Sequence, residues 1–429
     1  MPVLPVRMLR AAALLALLTS PCAALAQAAT AAPEETATGP TGYAVVIGGA
    51  LTQDNDAVWS RLVQLAGGPG ARYAVFATAS QSPERSAARI IDNLRRHGAL
   101  AEHVAVAPRI DGIDVAREVE NPKWIEIVRN ARGVFFAGGA QERIVDTLMP
   151  GGRVTPLLRA IWDVYGSGGV VAGSSAGAAI MGATMIRDAG DTMSVLKGRI
   201  RQGREIDRGL GFVGPRLFTD QHFLRRGRIG RLLPVMLATG HTLGLGVEEN
   251  TAAIVHGDDV EVIGAAGALF VDLSGATSDS SLGAFNLRGA RLSYVDRGDR
   301  LDLRTRAVAP SAQKLGGLKL DWKAAGFSPS SEDAPYQLDI LGNGTIVSAM
   351  SALVDSRADE VRGLACDARP EPGDPLAALG FEFRLYKGDG TVGWYTDASG
   401  ADAYTVEDAY LDVTPVRVAQ PLYVPWRTR

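Results

Sequence analysis

Five short apolar runs, each closed by glycine, proline or other small residues, constrain this chain more than anything else in it. They are YAVVIGGA (43–50), RYAVFATAS (72–80), HVAVAP (103–108), GVFFAGGA (133–140) and GGVVAGSS (168–175). Between them lie stretches such as DAVWSRLVQLAG and PERSAARIIDNLRRHG, whose apolar residues recur at helical spacing. The second of these begins at Pro83 and stops at Gly98, as a helix start and stop require. Unbroken apolar strands alternating with amphipathic helices predict an α/β fold, a parallel sheet with helices on both faces. Ligands on such sheets bind beyond the carboxyl ends of the strands. Three of those ends are rich in glycine here: Gly48-Gly49, Gly138-Gly139 and Gly173.

The rhythm changes further on. LGLGVEE, TAAIVHGD, DVEVIGAAG and ALFVDLSG are short strands with turn signals between them, and they close a first domain spanning 42–285. Beyond it, FNLRGARLSYVDRGDRLDLRTRAV, FEFRLYKGDGTVGWYTD and YTVEDAYLDVTPVRV alternate around Gly-Asp turns, which predicts a smaller β-rich domain over 286–429. Residues 1–26 carry the pattern of an export signal: Arg7 and Arg10, the apolar AAALLALL, and Ala24-Leu25-Ala26 before Gln27. That apolar run is shorter than the roughly 20 residues a membrane span needs. Residues 27–41 are Ala, Thr and Pro with little to bury, a flexible leader. The expected product is a secreted protein with no membrane contact after cleavage. Cys366 would then be its one cysteine, which excludes an internal disulfide and a cysteine metal cluster. A net charge of -3 gives no reason to expect nucleic acid as a partner.

Gly173-Ser174-Ser175-Ala176-Gly177 fits G-x-S-x-G, the sharp strand-to-helix turn that lifts a serine hydroxyl clear of a sheet. An apolar strand precedes it and an Ala-rich helix follows, which is the setting the motif requires. Such a serine needs a base within hydrogen-bond reach. Of five histidines, His97, His103, His241 and His256 sit where structural roles suffice. His222 stands in TDQHFLRRGRIGRLL, preceded by Asp220 and Gln221 and followed by Arg226, Arg228 and Arg231. Taken alone, this segment is either a solvated basic helix or, since guanidinium forks match carboxylates, a base beside an anion pocket. Glu248, Glu249 and Asp191 are all candidates to orient the imidazole. Adjacent residues at a strand end point opposite ways, so only one of the two glutamates can face the site.

Taken together, FFAGGAQ, GSSAGAAIM, TDQHFLRRGRIGRL and GLGVEENTA, in this order over roughly 42–280, resemble the cyanophycinases, serine exopeptidases related to aspartyl dipeptidase. The resemblance implies a flavodoxin-like fold related to class I glutamine amidotransferases. It implies Ser175 as nucleophile, His222 as base and Glu249 as the carboxylate behind it. By the resemblance, Gln141, Asp220, Gln221, Arg226, Arg228 and Arg231 would form the substrate pocket; the backbone chemistry of the turn makes the Ala176 N–H and a glycine N–H of Gly138-Gly139, Gly139 foremost, the candidates for the oxyanion hole. No metal or cofactor is implied. The expected substrate is cyanophycin, an aspartate polymer with arginine on every side chain, cut to β-aspartyl-arginine dipeptides by a homodimer of the extracellular branch. The alternatives are a dipeptidase on short aspartyl or isoaspartyl peptides and an exported binding protein.

Overall fold

The five apolar runs become β1 (Tyr43–Ile47), β2 (Arg72–Phe76), β3 (Leu100–Val104), β4 (Gly133–Phe136) and β5 (Val170–Ser174) in the computed structural model, which describes residues 42–188, 190–419 and 421–426. The expected signal segment and leader lie outside these residues. The five strands are parallel, in the order β3-β2-β4-β5-β1. From β2 to β5 this is the 2-1-3-4 order of flavodoxin-like sheets. β3 departs from the expected run at 103–108: it spans Leu100–Val104, so only His103 and Val104 of that run lie in it, and His103 is inside the strand rather than at its start.

Both faces of the sheet are covered. Val45 and Ile47 pack with Trp59 and Leu62 of the helix Asp56–Leu65 and with Leu94 of the helix Pro83–Arg96. Their neighbours Ala44 and Val46 turn the other way, toward Ile144 of the helix Gln141–Leu148 and Ile161 of the helix Pro156–Gly166. With water excluded from both sides, every position in the strand must be apolar, and the period-2 pattern vanishes.

After β5 comes a two-stranded ribbon, β6 (Thr184–Ile186) and β7 (Ile206–Arg208). Then follow β8 (Leu217–Gln221), β9 (Leu243–Val247), β10 (Thr251–His256), β11 (Asp259–Gly264) and β12 (Ala268–Asp272). β10 and β11 extend the first sheet by antiparallel pairing on β1. β8, β9 and β12 instead begin a second sheet. The chain therefore crosses between sheets at Glu248–Asn250, the short link from β9 to β10.

The segment after residue 285 supplies β13 (Leu287–Val295), β14 (Arg300–Asp302), β15 (Val308–Ala309), β16 (Leu318–Leu320), β17 (Glu360–Ala365), β18 (Leu379–Tyr386), β19 (Val392–Thr396) and β20 (Ala403–Arg417). β12 pairs along its whole length with the Arg291–Val295 part of β13, and β14 pairs with β11. Residues 286–429, expected as a domain of their own, instead complete both sheets, and the described residues fall in one compact unit. The second sheet runs β16-β19-β20-β13-β12-β9-β8, with β18 pairing β17 and β20. Its core joins Leu232 and Met236 of the helix Ile229–Thr239 to Met350 and Leu353 of the helix Thr345–Val354.

Candidate active site

The G-x-S-x-G turn sits at the carboxyl end of β5, where β1 and β4 also end. Ser175 occupies φ 55, ψ −111, a left-handed conformation that L side chains rarely adopt, between β5 and the short helix Ala176–Ala179. The flanking glycines are steric requirements. A Cβ on Gly173 would lie 2.1 Å from the Gly177 carbonyl oxygen, and one on Gly177 would lie 2.4 Å from the Phe136 carbonyl oxygen. The turn is pinned by the Ser175 N–H, which donates to the Ile47 carbonyl at 3.0 Å. Ser174 remains on β5 as the small residue before the turn.

His222 follows β8 directly, also left-handed at φ 48, and its N–H donates to the Gly48 carbonyl at 2.7 Å. That bond ties the second sheet to the end of β1 and sets the imidazole over the serine. Ser175 Oγ lies 2.8 Å from His222 Nε2, and Glu249 Oε1 lies 2.6 Å from Nδ1. A carboxylate only accepts, so Nδ1 donates the proton and Nε2 is left to accept the serine's. Burial pushes the imidazole pKa below its ordinary value; the positive Arg226 and Arg228 push the same way, against Glu249. The arrangement can draw a proton from a hydroxyl at neutral pH and return it to a leaving group.

The two glutamates divide as their alternation requires. Glu249 takes the imidazole. Glu248 turns away and accepts the Leu224 and Arg225 N–H groups at 2.5 and 3.0 Å, fixing the turn after the histidine. Asp191 caps the helix Thr192–Leu196 through the Ser194 N–H and has no part in orienting His222. Asn250, next to Glu249, is left-handed at φ 55 and donates its N–H to the Gly49 carbonyl at 2.7 Å. Ala50 (φ 47) completes a group of four strained non-glycine residues around one hydroxyl, with two more, Arg306 and Asp408, elsewhere among the described residues. Strain of this kind persists where surrounding structure imposes it, and it gathers at functional sites.

The residues expected to bind substrate separate into two groups. Asp220 is 2% exposed and Arg231 5%. Arg231 donates to both Asp220 oxygens, at 2.7 and 2.5 Å, and Arg228 lies 3.5 Å from the same carboxylate. Burial raises the Asp220 pKa, but Arg231 and Arg228 outweigh it and the net direction is down. Asp220 and Arg231 thus satisfy each other inside the protein and brace β8 against the helix that follows; neither lines the cavity beside Ser175. Arg228 donates to the Gln221 carbonyl at 2.6 Å, and burial lowers its pKa to about 10. The Gln221 side chain is buried, and its Oε1 has no partner. Gln141 spends its amide on the Ile186 carbonyl at 2.9 Å. Arg226 alone of the six lines the cavity of about 390 Å³ that opens beside Ser175, His222 and Glu249.

Gly138 lines this cavity too, with a built Cβ 3.1 Å from that of Ser175, whereas Gly139 (φ +144) backs onto the Ala79 carbonyl. The opposite wall comes from Leu51, Trp59, Phe135 and one face of the helix Pro83–Arg96, through Ser86, Arg89, Ile90 and Asn93. Sequence reasoning missed this wall. Its signal was present, since these four positions follow the spacing of one helical face.

Residues 44–263 match peptidase family S51. The chain belongs to that family. It is therefore a serine-type peptidase, similar to proteins named as cyanophycinases. One, from Geminocystis herdmanii, is 31% identical over 270 residues, covering 61% of this chain and 93% of the relative. Another, from Trichormus variabilis, is 29% identical over 260 residues, covering 58% and 81%. Among solved structures, a peptidase from an acI-B1 Actinobacterium is 20% identical with a TM-score of 0.42, covering 53% of this chain and 89% of that one. The S51 match ends inside β11, so the strands from β12 onward lie outside it.

Proposed function

We propose that this S51 peptidase is a secreted cyanophycinase, a serine exopeptidase that hydrolyses α-peptide bonds of the cyanophycin backbone and releases β-aspartyl-arginine. The observation that carries the reading is the unbroken hydrogen-bonded series from Ser175 through His222 to Glu249. Ser175 Oγ attacks the backbone carbonyl carbon while His222 Nε2 takes its proton, and Glu249 holds the imidazole and balances its charge. The oxyanion forms beside the first N–H of the helix after the serine, that of Ala176, and beside the Gly138-Gly139 turn. Neither Gly138 nor Gly139 donates its N–H to a backbone carbonyl among the described residues. His222 then protonates the leaving amine, and a water repeats the sequence to free the acyl group from Ser175.

The substrate follows from the relatives' names, together with guanidinium groups suited to the carboxylate that every cyanophycin unit carries. Secretion follows from the export pattern in residues 1–26. The test uses protein beginning at Gln27, wild type and Ser175→Ala, on insoluble cyanophycin, with mass spectrometry of what dissolves. Wild type alone should clear the polymer and release β-aspartyl-arginine. Cleavage of short aspartyl peptides with the polymer untouched would reassign the enzyme as a dipeptidase.

A further inference from the structure

Two arginines, Arg89 and Arg226, line the cavity beside Ser175; both are exposed, and neither side chain has a hydrogen bond or ion pair among the described residues. This sets Arg89 apart on its own helix. Arg85 donates to Ser82 Oγ, Arg95 to the Ala101 carbonyl and Arg96 to Asn93 Oδ1. Arg89 engages only through its backbone carbonyl, which accepts from Asn93 Nδ2 at 2.9 Å. The one carboxylate on the cavity wall, Glu249, is already committed to His222 and to Arg225. The cavity therefore presents unpaired positive charge beside the reacting hydroxyl, against an apolar wall that includes Trp59 and Phe135. A substrate guanidinium would meet like charge, whereas a carboxylate would meet two forks shaped for it.

We propose that Arg89 is a specificity-determining residue, which together with Arg226 receives a carboxylate of the substrate in this cavity. The proposal rests on the cyanophycin reading above. Two carboxylates are available in that substrate, the one on each arginine branch and the one at the polymer's end, and both offer the same chemistry.

The experiment compares wild type, Arg89→Gln and Arg89→Lys on a synthetic oligomer of β-aspartyl-arginine units. Two further oligomers replace arginine by agmatine, which lacks the branch carboxylate, or carry a C-terminal amide. On the parent oligomer, Arg89→Gln should raise KM about tenfold or more, the scale of one lost charge-assisted hydrogen bond, with little change in kcat. Arg89→Lys should recover part of that. On whichever analogue lacks the bound carboxylate, wild type and Arg89→Gln should give the same KM, which identifies the group. An unchanged KM on the parent, or an equal rise on all three oligomers, overturns the assignment of Arg89 and leaves the cyanophycinase reading standing. Wild type that neither cleaves nor binds the parent oligomer overturns both.

Discussion

Gly49 offers the sharpest test of the site's geometry. It holds φ +105, and a Cβ there would sit 2.3 Å from His222 Cε1 and 2.4 Å from Nε2. Ordinary contact begins near 3.4 Å, so in Gly49→Ala the imidazole must retreat by about 1 Å, a misplacement that can cost on the order of 10²-fold in rate. The Ser175–His222 bond, now 2.8 Å, cannot survive such a shift. A 10²-fold fall in kcat corresponds to about 2.7 kcal/mol of transition-state stabilisation. The backbone adds its own penalty of about 1–3 kcal/mol to folding, because alanine resists positive φ. Gly67→Ala separates the two effects, since Gly67 has φ +110 and open space where a Cβ would go. The assay is kcat on a soluble β-aspartyl-arginine oligomer, with urea unfolding of wild type and both variants. Gly67→Ala should lose stability and keep kcat; Gly49→Ala should lose both. A Gly49→Ala enzyme within threefold of wild-type kcat would refute the claim that this glycine sets the position of the imidazole.

Two further outcomes follow from charges already described. Because burial, then Arg226 and Arg228, lower the His222 pKa, the base stays unprotonated through neutrality. kcat/KM should therefore hold level down to about pH 6.5, the ordinary histidine value, and fall tenfold per unit only on the acid side of it; an acid limb already under way above pH 7 would contradict the shift. Asp220→Asn should strand the Arg231 charge in the interior and destabilise the fold by about 3–5 kcal/mol in denaturant unfolding. Substrate KM in the folded fraction should be unchanged, and a loss below 1 kcal/mol would mean that the pair is not the internal brace described here.

Much of this was legible in local pattern. A strand buried on both faces must be apolar throughout, so the runs at 43–50 and 168–175 disclose a parallel sheet by themselves. Gly173 and Gly177 mark Ser175 because nothing larger fits the turn. The opposite orientation of Glu248 and Glu249 follows from backbone alternation, although choosing the one that meets His222 required the family resemblance or the fold. What stayed hidden depends on distant parts of the chain. Asp220 and Arg231 look like binding groups because residue type does not say whether a charge is answered from within. They neutralise each other only because the helix Ile229–Thr239 folds back on β8. Arg89 escaped notice for the converse reason: an arginine on an amphipathic helix reads as solvated until a cavity is seen in front of it. The change of pattern near residue 285 marks a shift from helices to strands, and strand content does not reveal which sheet a strand joins.

The two halves of the reactive pair hang from different sheets. Ser175 directly follows a strand of the first, His222 directly follows a strand of the second, and Glu249 rides the link where the chain steps across. Short backbone bonds, His222 to Gly48 and Asn250 to Gly49, act as rivets along that seam. Hydrolysis in such a molecule works as a gauge of alignment between two plates. The plates share a core, which holds Ala44 and Phe76 of the first with Leu245 and Phe270 of the second, so packing as well as the rivets keeps the hydroxyl against the imidazole. Strands far from the cleft, those that anchor the second plate from β13 onward, thereby acquire a voice in turnover without touching substrate.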